Sequence, residues 1–196
     1  MACEAIRGVC GSPFYVLDAL RKYLPNYSSK YPIGFQRILE AFSENDYALN
    51  ESNITLLWSA YEFGDSAHKG QKRKSGVPYF EHCIEVCIQL ISWHMDIDTL
   101  IAGLLHDTIE DTPVTKKEIQ EKFNKDISEL VFGVSKLSGI KFRDHKHKQA
   151  ENLIKMFLAV AKDLRVIIIK FSDRLHNMKT LKHLPKEKQI RIANET

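Results

Sequence analysis

With 196 residues, 44% hydrophobic and 27% charged, the chain can build one domain with a sizeable core, and its composition is that of an ordinary globular protein. A net charge of +3 makes no global demand for a nucleic acid or a membrane, so charge must be read locally. No apolar run approaches the ~20 residues of a membrane span, the first residues lack the basic start and long apolar stretch of a secretory signal, and the four cysteines (Cys3, Cys10, Cys83, Cys87) form no CxxC pair, which predicts free thiols in a reducing, cytoplasmic compartment.

Helical periodicity runs along the chain. "SPFYVLDALRKYL" offers Ser12 as a cap and Pro13 as a first helical residue. "PNYSSKYPIG" reads as a loop and "FQRILEAF" as a short helix. "SNITLLWSAYEFGDSAH" predicts a helix capped by Ser52 or Asn53, with Ile54, Leu57, Trp58, Tyr61 and Phe63 as its apolar stripe. "KGQKRKSGVP" breaks that pattern with glycine, proline and clustered cations. Helices are then expected over "YFEHCIEVCIQLISW", over "DIDTLIAGLLHDTIED" with Asp96 or Asp98 as cap, and over "TKKEIQEKF", where Thr115 and Glu118 form a capping box. "ISELVFGVSKL" follows, and then a basic stretch, "SGIKFRDHKHKQ", whose His145 and His147 read as part of a solvated loop. Within the last long pattern, "RVIIIKF" has the β-branched run of a buried strand, but no second strand candidate exists to pair with it, so it is assigned to a helix. The expected fold class is all-α. The final "RIANET" keeps its apolar recurrence without a stop signal, which suggests a piece of a longer protein. A stop codon directly after Thr196 would refute that expectation.

Chemistry concentrates in "LLHDTIEDT". On a continuous helix His106 and Glu110 are four apart and Asp107 and Glu110 three apart, so all three can face one spot. A His-Asp pair alone is a weak signal. His82, on the apolar "FEHCIEV" pattern, would alone be read as a core histidine, and Asp173, directly after the most apolar run, as half of an ion pair with Arg174. A shared cation accounts for His82, His106, Asp107 and Asp173 together, because clustered acids near a core are costly without one. Two imidazoles and two carboxylates suit an octahedral ion with open positions, Mn²⁺ first and Fe²⁺ second, better than zinc. Glu110 and Asp111 would then sit beside the ion, orienting a water and accepting its proton.

The loop holding Lys69, Lys72, Arg73 and Lys74 precedes the His82 helix, so its cations suit a phosphorylated, polyanionic substrate, and Arg73 could stack on a base. Asp173, Asn177 and Thr180 share a helical face, from which Asn177 and Thr180 could hydrogen-bond a ligand. His176 is expected behind the ligands or in the core.

"HKGQKRKSGVPYFEH", "TLIAGLLHDTIEDT", "QAENLIKMFLAVAKDLRVIIIKFSDRLHNMKTL" and "RIANET" closely resemble the RelA/SpoT homologues, which make and break guanosine tetra- and pentaphosphate in bacteria. The similarity runs from about Asn53 onward and looks like the N-terminal, helical HD-type hydrolase domain of a long member. By resemblance, His82, His106, Asp107 and Asp173 fall on its Mn²⁺ ligands, Glu110 and Asp111 on its catalytic acidic pair, and Arg73, Lys74 and Ser75 on its nucleotide-binding loop. Asn177 and Thr180 match its nucleoside contacts, and Leu184 its base pocket. The implied reaction removes the 3′-pyrophosphate of (p)ppGpp to leave GDP or GTP, and the intact HD motif implies an active enzyme. The implied organisation is an N-terminal extension, 1–46, partly helical, and a hydrolase domain, 47–196, followed in the full-length protein by synthetase and regulatory domains. Cys83 departs from the pattern, standing where a proline is usual, so a small local change is expected. Two alternatives keep the fold: hydrolysis of another nucleotide such as NADPH or a nucleoside phosphate, and a catalytically silent guanine-nucleotide sensor. Direct nucleic-acid binding is not expected, because the basic residues form one short loop without interleaved aromatics.

Overall fold

A computed structural model describes residues 31–138 and 162–195. The helix expected from Ser12, the basic stretch with His145 and His147, and the "AENLIKM" pattern lie outside the described residues. The described elements are α1 (Ile33–Glu44), α2 (Glu51–Ala67), α3 (Phe80–Ser92), α4 (Ile97–Leu105), α5 (Thr108–Asp111), α6 (Lys116–Lys122), α7 (Lys125–Ser138), α8 (Arg165–Lys179), a 3₁₀ turn (Leu181–His183) and α9 (Lys186–Glu195). No strand occurs among the described residues, where the one β-bridge pairs Lys72 with Pro78. No described helix is long and apolar enough to cross a membrane.

The core is built around α3 and α4. Helix α4 is buried from Thr99 to Leu105 on every side, the pattern of a central helix. It packs on α3, α2 and α7, and α3 in turn meets α1 and α8. Close approach of the central pair depends on Gly103: a Cβ there would lie 2.5 Å from Leu90 Cδ1. Full burial of Leu100, Ile101, Leu104 and Leu105 contributes about 1.5–3 kcal/mol for each side chain.

Local signals act as expected at several ends. Asp96 caps α4 by accepting from Thr99 N at 3.1 Å, and Thr115 and Glu118 form the capping box of α6. "RVIIIKF" is helical, burying Val166, Ile167 and Ile169, and Ser172 Oγ donates to Val86 O at 3.1 Å, tying α8 to α3. Two expectations change. The α2 cap is Asn50, which accepts from Asn53 N at 2.7 Å, so the helix starts earlier than Ser52 or Asn53 implied. The helix through "LLHDTIED" is not continuous: α4 ends at Leu105, His106 and Asp107 form a turn, and α5 is a separate single turn.

Helix α1 lies before the expected domain start at residue 47, yet it buries Phe35, Ile38, Leu39 and Phe42 in the common core. These positions are spaced i, i+3, i+4 and i+7, one apolar face. Phe35 meets the rings of Tyr31, Trp58 and Tyr61 at 4.9, 4.9 and 5.4 Å. Replacing Phe35 with Ala is predicted to cost about 3–5 kcal/mol in urea unfolding of the whole domain, in one transition. A loss below about 1 kcal/mol would mean that α1 is dispensable to the core.

Candidate metal centre and cleft

Four side chains from three segments meet at one buried point. His82 comes from the first turn of α3, His106 and Asp107 from the turn after α4, and Asp173 from the middle of α8. His82 Nε2 lies 3.1 Å from Asp173 Oδ1 and 3.8 Å from Asp107 Oδ2. His106 Nε2 lies 3.1 Å from Asp107 Oδ2 and 4.0 Å from Asp173 Oδ1. Ligand atoms of His82, His106 and Asp107 all fall within 4.8 Å of one another, a grouping that could hold a metal ion.

The donor set fits a divalent cation. His106 Nδ1 donates to Gly103 O at 2.8 Å, which fixes the ring and leaves Nε2 aimed into the cluster. That Nε2 is buried without a well-directed hydrogen bond despite the nearby carboxylate. His82 Nδ1 faces His176 Nδ1 at 2.7 Å, an outer partner of the kind that orients a ligating imidazole. Lys170 Nζ donates to Asp173 Oδ2 at 2.8 Å and Asn177 Nδ2 to Asp173 Oδ1 at 2.6 Å. The ion-pair partner of Asp173 along its own helix is therefore Lys170, where Arg174 was expected.

Burial works against ionisation of Asp107 and Asp173, yet His106 beside the first, and His82, His106 and Lys170 around the second, hold both carboxyls well below the usual range. Burial likewise opposes charge on His106, but Asp107 outweighs it and raises that pKa. His82 goes the other way: burial, with His106 and Arg73 adding to it, brings it down to about 4 against the pull of Asp173.

Tyr79, which sequence reasoning overlooked, joins the cluster to the acidic pair. Its hydroxyl is 2.8 Å from Asp107 Oδ2 and 2.7 Å from Asp111 Oδ2. One phenolic proton serves two carboxylates, and burial together with their charge pushes the Tyr79 pKa far up. Gln71 Nε2 also donates to Asp111 O at 2.8 Å, so the hairpin before α3 grips α5. Glu110 is exposed on the same turn. Nothing in the local pattern marks Tyr79 beyond its place three residues before His82. Cys83 is fully buried on α3 and leaves that first turn helical.

A cleft of about 640 Å³ opens beside His82. Its walls bring together Arg73, Lys74, Ser75, Asn177, Thr180 and Leu184, the side chains that the family resemblance implied as substrate contacts, with Lys72, whereas Lys69 lies elsewhere. The hairpin is closed by Arg73 N donating to Val77 O and Gly76 N to Arg73 O, both at 2.9 Å. Gly76, at φ +85°, supplies the left-handed turn. Arg73 lies over the Tyr79 ring at 5.2 Å and donates through Nη1 to Asn177 Oδ1 at 3.0 Å. Asn177 thus bridges the basic hairpin and Asp173. Thr180 Oγ1 donates back to the carbonyls of His176 and Asn177, at 3.1 and 3.2 Å, at the end of α8.

Comparison with known proteins gives a consistent picture. An HD-domain family model matches residues 60–196. The bifunctional (p)ppGpp synthase/hydrolase SpoT of Escherichia coli is 50% identical over 148 residues, covering 76% of this chain and 21% of that protein. The guanosine-3′,5′-bis(diphosphate) 3′-pyrophosphohydrolase of Vibrio cholerae is 49% identical over 148 residues, covering 76% and 21%. The GTP pyrophosphokinase rsh of Brucella melitensis is 46% identical over 144 residues, covering 74% and 19%. The chain therefore spans about one fifth of the length of these relatives. A solved structure described as a metazoan ortholog of SpoT that hydrolyzes ppGpp aligns with a TM-score of 0.58 and 25% identity, covering 74% of this chain and 81% of that one.

Burial brings the His82 pKa down to about 4, whereas Asp107 raises that of His106, so a metal ion competes with a proton for the His106 nitrogen. Metal affinity should therefore rise with pH through the neutral range. Calorimetry in buffers of different ionisation heat should find about one proton released per ion. Uptake without proton release would contradict the charge assignment of this pair.

Proposed function

Since the chain belongs to the HD-domain family, we propose that it is a divalent-metal-dependent (p)ppGpp 3′-pyrophosphohydrolase, with Mn²⁺ as the ion and Fe²⁺ as the other candidate. One observation carries the reading: the His-His-Asp cluster adjoins, through His82, a cleft lined by the basic hairpin and the polar end of α8. The likeness to the hydrolase relatives supports the choice of substrate. The two buried free thiols among the described residues suit a cytoplasmic protein. Attachment to synthetase and regulatory domains belongs to the same proposal; the bifunctional name of the Escherichia coli relative supports the synthetase part, and this chain's one-fifth share of that protein leaves length for further domains.

His82, His106, Asp107 and Asp173 would hold the ion, whose bound form supplies Lewis-acid polarisation of water and of phosphoryl oxygen. Arg73 and Lys74 place cations where the phosphates would lie, and Ser75 adds a hydroxyl. Arg73, already spread over an aromatic face, can stack on a purine by the same interaction. Leu184 and Ile192 provide an apolar patch for the base, next to Asn177 and Thr180. Water oxygen adds to the phosphorus that bears the ribose 3′ oxygen, that P–O bond breaks, and a proton ends on the 3′ hydroxyl of the product. Glu110, exposed on α5, and Asp111, which accepts from Tyr79, would act as the acidic pair that takes the water proton. Tyr79 would link the metal cluster to this pair through its hydrogen bonds to Asp107 and Asp111.

The expected result is pyrophosphate release from ppGpp that EDTA abolishes and Mn²⁺ restores. Asp107→Ala should lose bound metal, whereas Glu110→Gln should keep it and lose about 10²–10⁴-fold in kcat. Full activity of Glu110→Gln would remove that residue from the mechanism. Turnover of NADPH or another nucleotide in preference to ppGpp, in a competition panel, would reassign the substrate. Bound metal without turnover of any guanosine polyphosphate would favour a sensor.

A further inference from the structure

The wall of the cleft that faces α1 carries two carboxylates, Glu81 and Glu85, one helical turn apart on α3 and flanking His82. Like charges at this spacing repel each other, and beside a polyanion they also repel the ligand. Arg37, on α1, spans both: Nη1 donates to Glu81 Oε2 at 2.8 Å and Nη2 donates to Glu85 Oε1. Arg37 precedes the residues matched by the family model. The Arg37 side chain is 35% exposed and each glutamate side chain 39%, so as a folding device the trio contributes little. Its consequence lies in the field at the cleft, where Lys72, Arg73 and Lys74 line the hairpin side.

We propose that Arg37 is a positioning residue for substrate binding: it draws Glu81 and Glu85 toward α1 and offsets their charge, so that a nucleotide polyphosphate meets a cleft whose field is set by the basic hairpin. This deepens the reading of the cleft as a polyphosphate site and rests on it.

The test is titration calorimetry of the intact chain with guanosine tetraphosphate and with inorganic pyrophosphate, beside steady-state kinetics with Mn²⁺. Arg37→Ala should weaken binding and raise KM by about threefold to tenfold with kcat changed less than about twofold. The difference should shrink in high salt. Arg37→Lys should recover most of the loss. Adding Glu81→Gln and Glu85→Gln to Arg37→Ala should restore binding, because the repelling charges are then gone. A merely structural role in docking α1 predicts instead that the triple variant stays as weak as Arg37→Ala and melts earlier, and that result overturns the proposal. Unchanged binding by Arg37→Ala overturns it as well. If the wild-type chain binds both anions but releases no pyrophosphate, the hydrolase reading fails while binding still decides the role of Arg37. If it binds neither anion, both readings fall.

Discussion

Two carboxylates, Asp107 and Asp173, are held out of water within 4 Å of the same two imidazole nitrogens. Buried charge of one sign must be compensated, and most of what surrounds the site does that. Asp107 raises the pKa of His106, and Lys170 reaches along α8 to the second carboxylate. Asn177 and Tyr79 donate hydrogen bonds to the same oxygens. A divalent cation would satisfy the whole arrangement at once, exchanging a proton and several partial charges for one concentrated positive centre.

The helix pair α3 and α4 makes that convergence geometrically stable. Gly103 lets the two helices approach closely, and its carbonyl also fixes the His106 ring. A single residue thus sets both the packing distance and the direction of a ligand nitrogen. Ending α4 at Leu105 turns His106 inward while Asp111 is handed to Tyr79. Helix α8 enters from the other side, fastened to α3 by Ser172 and carrying Asp173 and Asn177 on one face. The candidate metal centre and the cleft beside it share these helices, so a shift of either moves both.

Charge around the cleft is arranged on the same principle but nearer to water. The basic hairpin turns at Gly76 and is tied down by the Arg73–Asn177 hydrogen bond, which links its cations to a partner of Asp173. The acidic wall on the other side is held by Arg37 from α1. Screening makes such exposed pairs weak as stabilisers of the fold, while their long-range field still acts on a highly charged ligand.

Much of this was legible in the order of residues. Helix positions follow from apolar periodicity, and the caps at Asp96 and Thr115 from short-range hydrogen-bonding patterns, because both depend on neighbours within one or two turns. The candidate ligands could be named because a histidine or an acid beside a core run is costly without a partner. What pairs with what was not legible: Lys170 in place of Arg174, Tyr79 between two carboxylates, Arg37 across Glu81 and Glu85. The break after Leu105 was also hidden, since the pattern through it stays helical and only packing selects the turn. By itself the sequence determined which stretches are helical and which side chains need compensation, because those are local demands. Tertiary structure alone decided how they are met, because partners as far apart as Arg73 and Asn177 are brought together only when the core closes.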